Sequence, residues 1–490
     1  MADKNEWGSN LSFILAMIGS AVGLGNIWRY PYVLYSNGGG AFYIPYIVAI
    51  LLMGIPFLIL EYGVGYNFKS SFPKAIRKIH SNWEYLGWLL PVAVFMIMIY
   101  YSAILGWDGI YMILSFTKGW GANPDTFFAN TLLQSSESMS GLTHFIPLIA
   151  VAMLVGWVII WFISHRDLEE GLGKVSKILV PALFIIMVII VGVSLTLPGA
   201  SIGLAELFNP DWSLLTHFEI WMAAFGQIVF SLSLGMAIAM TYASYLPEGS
   251  KLVDNAVIVA FSNSGFEVFN SIGIFSILGF MTLTSGIPFN ELVTSGTGLA
   301  FVVFPQVFNT MGPAANIIGP LFFLCILFAG ITSVIALLEG VCYSISEKFL
   351  IDRKKTATVV CIVGFFISTI FATGVGSTIL GIFDGFLNNF ALLLAVLIEC
   401  IIFGWIYKFD NLIETLNENS KIKVGKTWKT VIKYILPICI AGLWIQGIYS
   451  TITTADSLST IIMIILTIVL IVVPIIFAKL PAINKDYYNV

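Results

Sequence analysis

Charge is so sparse in this chain that one apolar run follows another, each long enough to cross a bilayer. A run of about 18 or more residues with few charges is the length of a spanning helix. Twelve are expected, at about 11–35, 41–67, 87–115, 144–164, 174–196, 217–245, 254–283, 315–348, 356–373, 378–407, 431–450 and 458–479. Only 10% of the 490 residues are charged, where soluble domains carry roughly 25%. In lipid every backbone amide needs an internal partner, so the runs are read as helices and the fold class as all-α integral membrane. The first run is too long for the apolar part of a signal peptide, and no small-residue cleavage site follows it, so it is expected to remain as a span.

The cationic residues fix the orientation. With the N-terminal segment in the cytoplasm, all but Lys118 and Arg29 of the 23 Lys and Arg fall in inside connections or at the inner ends of spans. This is the asymmetry that the positive-inside rule demands, and a miscounted span would scramble it. Both termini are therefore expected in the cytoplasm of a multi-pass cell-membrane protein. Residues 1–10 and 480–490 read as cytoplasmic segments, 408–430 as a cytoplasmic loop, and 11–407 as the core, with spans eleven and twelve at 431–479. The longest outside connections are 118–143, 197–216 and 284–314, the last expected as a short hairpin over the entrance. Neither a basic stripe for nucleic acid nor a Ser/His/Asp or HExxH arrangement is present, so enzyme and nucleic-acid readings are set aside.

Two spans contain segments a helix disfavours. The first holds Gly19, Gly23 and Gly25 followed by Asn26, and the sixth holds Ser231, Ser233 and Gly235. Each Gly costs about 1 kcal/mol relative to Ala in a helix. Small residues also let membrane helices pack closely, but two such runs, five spans apart and flanked by Asn, Ser and Gln, favour a binding site. Freed carbonyls take cations, and freed amides at half-helix N-termini take carboxylates. Arg29, Glu61, Glu267, Glu339, Asp384 and Glu399 add ionisable groups within spans, where charge is expensive and is either functional or paired. Glu61 and Glu399 read better as structural, and Asp108 reads as facing water near the outside.

With these residues in hand the chain resembles a known family. Gly19–Asn26, Trp28-Arg29-Tyr30-Pro31, Asn37–Phe42, Tyr100-Tyr101, Gln227–Gly235, Thr241–Tyr245, Asn263 and Ala329–Ser333 resemble, in collinear order, the signature of the neurotransmitter:sodium symporters. The resemblance is greatest to the bacterial amino-acid members with the LeuT-type fold. It implies twelve transmembrane helices, a 5+5 inverted repeat with halves at about 11–196 and 217–407, broken first and sixth helices, and sodium-coupled import by alternating access. It also implies two sodium sites. One uses the carbonyl of Ala21 with the side chains of Asn26, Ser231 and Asn263. The other uses the carbonyls of Gly19, Val22 and Ala329 with the hydroxyls of Thr332 and Ser333. Neutral oxygens suit a hard cation that must later leave.

By the same resemblance, the amides of Leu24 and Gly25 and the Tyr101 hydroxyl would hold a substrate carboxylate. Carbonyls of Ala21, Phe230 and Ser231, with the Ser233 side chain nearby, would face its amine. Gly23 stands where monoamine-transporting relatives have Asp, so the substrate should bring its own carboxylate. The side-chain pocket would be Ile97, Tyr101, Phe230, Met236, Ser333 and Leu337. None is charged, which implies neutral, hydrophobic to aromatic L-α-amino acids. A β- or γ-amino acid or an amino sulfonate is the alternative substrate, and a non-transporting sensor the alternative role. Glu267 replaces a small neutral residue of chloride-dependent relatives, so transport is expected to need no chloride. Arg29 and Asp384 would close the outer gate. Lys4 and Glu347, with Trp7 and Tyr245 packed beside them, would close the inner one. The lack of an outside cysteine pair and of a long glycosylated outside loop points to a prokaryotic source. The oligomeric state is not legible.

Overall fold

The computed structural model describes residues 6–136, 139–294, 296–407 and 409–488. Ten of its helices are long and apolar enough to cross a membrane. They are α2 (Gly40–Phe68), α3 (Ser81–Ser115), α4 (Pro147–Ser164), α5 (Glu169–Ser194), α7 (Leu252–Ser285), α8 (Gly312–Phe349), α9 (Arg353–Ala372), α10 (Gly376–Ile406), α11 (Lys426–Thr454) and α12 (Ser457–Lys479). The first span is a pair, α1a (Asn10–Ala21) and α1b (Gly25–Ser36), bent by 54° at the break. The sixth is a second pair, α6a (Phe218–Ser231) and α6b (Ile238–Ser244), each too short to span alone. Counted as one span each, these pairs complete the twelve read from the sequence.

Local sequence explains both breaks. Ser9 caps α1a by accepting the Ser12 amide at 3.1 Å. The helix stops where Val22 turns to ψ 95°, and the Asn26 carboxamide oxygen accepts the freed Gly23 amide at 2.8 Å. A short polar side chain thus replaces the lost helical partner. In the sixth span Ser233, Gly235 and Ala237 take left-handed φ of 52°, 68° and 57°, which ends the right-handed helix. Gly235 is sterically required there, because a Cβ would come within 2.2 Å of Val396 on α10.

α3 and α8 form the interior and α12 the rim: the apolar window of α3 is 83% buried and that of α12 only 17%. The end bearing the Lys- and Arg-rich connections is called inner here. Between α2 and α3 on that side lies a short connector helix, Phe72–Ile79. The 284–314 connection is more than a hairpin: it folds into a turn at Phe289–Leu292 and a helix at Leu299–Thr310. Phe301 of that helix packs against Trp107 and Trp28. Asp108 departs from the sequence expectation. It is fully buried rather than facing water, because it continues the inward stripe Ile97, Tyr101, Ile104 at helical spacing.

Candidate functional site

The two breaks face each other and bound a cavity of about 430 Å³. All twelve residues assigned from the sequence to substrate line it: Ala21, Gly23, Leu24, Gly25, Ile97, Tyr101, Phe230, Ser231, Ser233, Met236, Ser333 and Leu337. Its floor is built from backbone and hydroxyls. The Leu24 amide lies 3.5 Å from the Tyr101 hydroxyl. A Cβ on Gly23 would stand 3.1 Å from the Ser333 hydroxyl and 3.5 Å from that of Tyr101. The Ser20 carbonyl accepts Ser233 at 3.2 Å and Ser333 at 3.4 Å. Ser20 was not singled out from the sequence, since a backbone carbonyl acceptor leaves no trace in residue type.

Beneath one side of the floor, three oxygen-bearing side chains converge. Asn26 donates to the Asn263 carboxamide oxygen at 2.8 Å and lies 3.4 Å from the Ser231 hydroxyl. Asn263 also donates to Ser231. Glu267 adjoins this trio and is fully buried. Its carboxylate accepts Gln227 at 2.8 Å, Asn26 at 3.2 Å and the Tyr46 hydroxyl. Gln227 precedes Ser231 by one helical turn, a spacing that could have flagged it. Tyr46, on α2, carried no such signal.

On the other side, α1a meets α8. A Cβ on Gly19 would touch Thr332 at 3.3 Å. The Thr332 and Ser333 hydroxyls both donate to the Ala329 carbonyl, at 3.0 and 2.9 Å. Val22 is buried at the turn. Gly19, Ala329, Thr332 and Ser333 are thus brought together at the α1a break.

The cavity continues toward the outer end past Trp28, Tyr100 and Asn388 to Gly296. Here the expected pairing is not formed: among the described residues, Arg29 and Asp384 make no ion pair. The Arg29 guanidinium lies over the Phe230 ring, 3.9 Å from its centroid. Asp384 accepts the Tyr100 hydroxyl and the Asn388 amide, each at 2.8 Å. Each side chain finds a nearer partner because the opening between them is part of the cavity.

The inner end is sealed. Trp7 is buried, and its indole N–H donates to the Tyr242 carbonyl at 2.7 Å. The Trp7 backbone N–H donates to the Tyr245 carbonyl at 3.1 Å. Tyr245 gives its hydroxyl to Glu339 at 2.9 Å. Lys4 lies outside the described residues. The carboxylate of Glu347 is occupied by Ser71 and by Lys74, the latter at 3.0 Å. Glu61 and Glu399 are both buried.

A largely apolar cavity with a floor of backbone and hydroxyl groups, lying between two broken spans, open toward one end and sealed at the other, defines a membrane transporter. The model of the sodium:neurotransmitter symporter family matches residues 4–124 and 121–481. A Methanocaldococcus jannaschii protein described as an uncharacterized sodium-dependent transporter is 41% identical over 90% of both chains. The bovine sodium- and chloride-dependent creatine transporter 1 is 28% identical over 91% of this chain and 77% of its own. Among solved structures, that of MhsT in complex with L-phenylalanine is similar, with a TM-score of 0.76 at 30% identity over 90% of this chain and 99% of that one. The chain belongs to the sodium:neurotransmitter symporter family, has the LeuT-type fold, and is a transporter for which sodium is the coupling ion.

Proposed function

We propose that this protein imports neutral, hydrophobic to aromatic L-α-amino acids with sodium across the cell membrane by alternating access, without needing chloride. The observation that carries the reading is the cavity floor. It combines the free amide end of α1b with the Tyr101 hydroxyl, and its lower wall of Ile97, Phe230, Met236 and Leu337 bears no charge. A half-helix N-terminus favours a carboxylate, and the uncharged wall leaves a hydrophobic side chain as its complement. Gly23 puts no side chain between Ser333 and Tyr101, so the protein supplies no carboxylate there. The likeness to MhsT, whose structure holds L-phenylalanine, supports the same substrate class.

Two sodium ions are proposed as co-substrates. The first would take oxygens of Ala21, Asn26, Ser231 and Asn263 together with the substrate carboxylate. The second would take those of Gly19, Val22, Ala329, Thr332 and Ser333. All are neutral oxygens of the kind a hard cation prefers. Glu267, hydrogen-bonded to Asn26, supplies negative charge beside the first ion and so takes the role chloride has in chloride-dependent relatives. Closure would bring Arg29 and Asp384 together over the loaded cavity.

The test is uptake of each labelled L-amino acid into liposomes holding the purified protein, with an inward sodium gradient and with potassium in its place. Sodium-dependent accumulation of leucine, tyrosine or tryptophan is expected. The creatine transporter's likeness adds creatine to the panel, beside the ω-amino acids and amino sulfonates of the alternative reading. Accumulation of those alone would overturn the α-amino-acid assignment.

A further inference from the structure

Residues that follow α12 are built into the inner end of the transporter. α8 ends at Phe349, with Leu350 in a left-handed turn at φ 49°, so its last carbonyls have no partner within the helix. Asn484 provides two: its backbone N–H donates to the Lys348 carbonyl at 3.3 Å and its side chain to the Glu347 carbonyl at 3.1 Å. Three residues on, Tyr487 is 1% exposed. Its hydroxyl donates to Glu84 at 3.1 Å. Glu84 also accepts Arg77 of the connector helix at 2.8 Å and Lys348 of α8 at 2.6 Å. Lys348 is completely buried and donates further to the carbonyls of Phe477 and Ala478 at the end of α12. Its charge is compensated and its donors are used, as burial of a lysine demands.

We infer that the segment 480–488 is a strap that positions Glu347 and holds the inner end closed, acting through Asn484 and Tyr487; the inference rests on the alternating-access reading. Asn484 fixes the backbone from which the Glu347 side chain projects. That carboxylate reaches the connector after α2, accepting both the Ser71 amide at 2.8 Å and Lys74 at 3.0 Å. Lys74 in turn lies 5.9 Å from the centroid of the Tyr487 ring, within cation–π range. One strap therefore fixes the carboxylate and its cation. About two turns along α8 from Glu347, Glu339 receives Tyr245 of the inner seal. Release of the α8 end loosens the helix face on which that seal closes. Asn484 and Tyr487 are positioning residues, since neither reaches the cavity.

The experiment uses the full chain in liposomes with sodium, its five cysteines replaced by alanine and Ser244→Cys on α6b as reporter, read by the rate of maleimide labelling. Asn484→Ala is expected to raise that rate about tenfold, the factor one lost hydrogen bond is worth, with the melting temperature nearly unchanged; Tyr487→Ala, which also empties a buried site, is expected to raise it at least as much and to lower the melting temperature. Tyr487→Phe, which keeps the ring beside Lys74 but loses the hydroxyl that Glu84 accepts, is expected to raise the rate about as much as Asn484→Ala. An unchanged labelling rate in both alanine variants overturns the inference. So does a rise that only follows loss of the thermal transition. If Tyr487→Ala does not fold, Asn484→Ala decides by the same criteria. The readout needs no substrate, so a failed uptake assay would count against the amino-acid reading and leave the strap standing.

Discussion

Arg353, at the start of α9, grips Glu339 on α8 with two nitrogens: Nε lies 3.0 Å from both carboxylate oxygens and Nη2 lies 2.5 Å from Oε2. The same guanidinium donates to the carbonyls of Ser164 and Arg166 after α4, at 3.0 and 2.6 Å. Four elements of the inner end, α4, α6b, α8 and α9, thus meet at one largely buried ion pair, with Tyr245, the residue that follows α6b, joining it. Planar, forked donation is what Arg offers and Lys cannot.

Removal of one partner from such a pair strands the other. Arg353→Ala is expected to destabilise the protein by about 3–5 kcal/mol, read as a fall in melting temperature in detergent. Glu339→Gln keeps an acceptor for Tyr245 and should lose less. Equal, small losses in both variants would show that the pair does not hold this end together.

Glu267 is expected to stand in for chloride. Glu267→Ser removes the carboxylate that accepts from Tyr46, Gln227 and Asn26. Sodium-driven uptake in chloride-free gluconate should fall about tenfold or more, as expected when buried donors lose a charged acceptor, and added chloride should restore it. Uptake by the variant that is equally fast with and without chloride would refute the substitution of carboxylate for chloride.

Gly23→Asp tests the carboxylate site. The new side chain would emerge within 3.1 Å of Ser333 and 3.5 Å of the Tyr101 hydroxyl, next to where the substrate carboxylate is proposed to bind. Like charges so placed cost several kcal/mol, so amino-acid uptake should drop by about a hundredfold or more while the protein stays folded. Retained uptake would mean that the substrate carboxylate lies elsewhere.

What the sequence discloses here follows from what residue types can encode. The spans are legible because charge is excluded from lipid, and the breaks because the Gly and Ser runs of the first and sixth spans oppose helices. The twelve cavity residues follow from those breaks and from the family motifs. Partner choice was not legible. Asp384 turns to Tyr100 and Asn388, and Glu347 turns to Ser71 and Lys74, because the nearest oppositely polar group is set by packing across segments far apart in the chain. Glu339 had no account from sequence for the same reason: Arg353 lies 14 residues on, across a chain reversal that hydropathy marks but cannot orient. Asn388 is the exception, one helical turn from Asp384 and within reach of the spacing rule.

Asp108 is the residue the sequence misjudged, and it yields the last prediction. It is fully buried on α3, and neither carboxyl oxygen has a hydrogen-bond partner among the described residues. Rings of Trp107, Tyr111, Phe128 and Phe301 cluster around that part of the helix. An unpartnered polar group in such surroundings costs roughly 1–3 kcal/mol. Asp108→Leu, similar in size and without the polar atoms, is therefore expected to raise the melting temperature, and Asp108→Asn to change it less. Sodium-dependent uptake measured alongside separates two meanings. A more stable variant with unchanged uptake makes Asp108 a tolerated cost of the core. A more stable variant that no longer transports would mean that the carboxyl is retained because the transport cycle uses it.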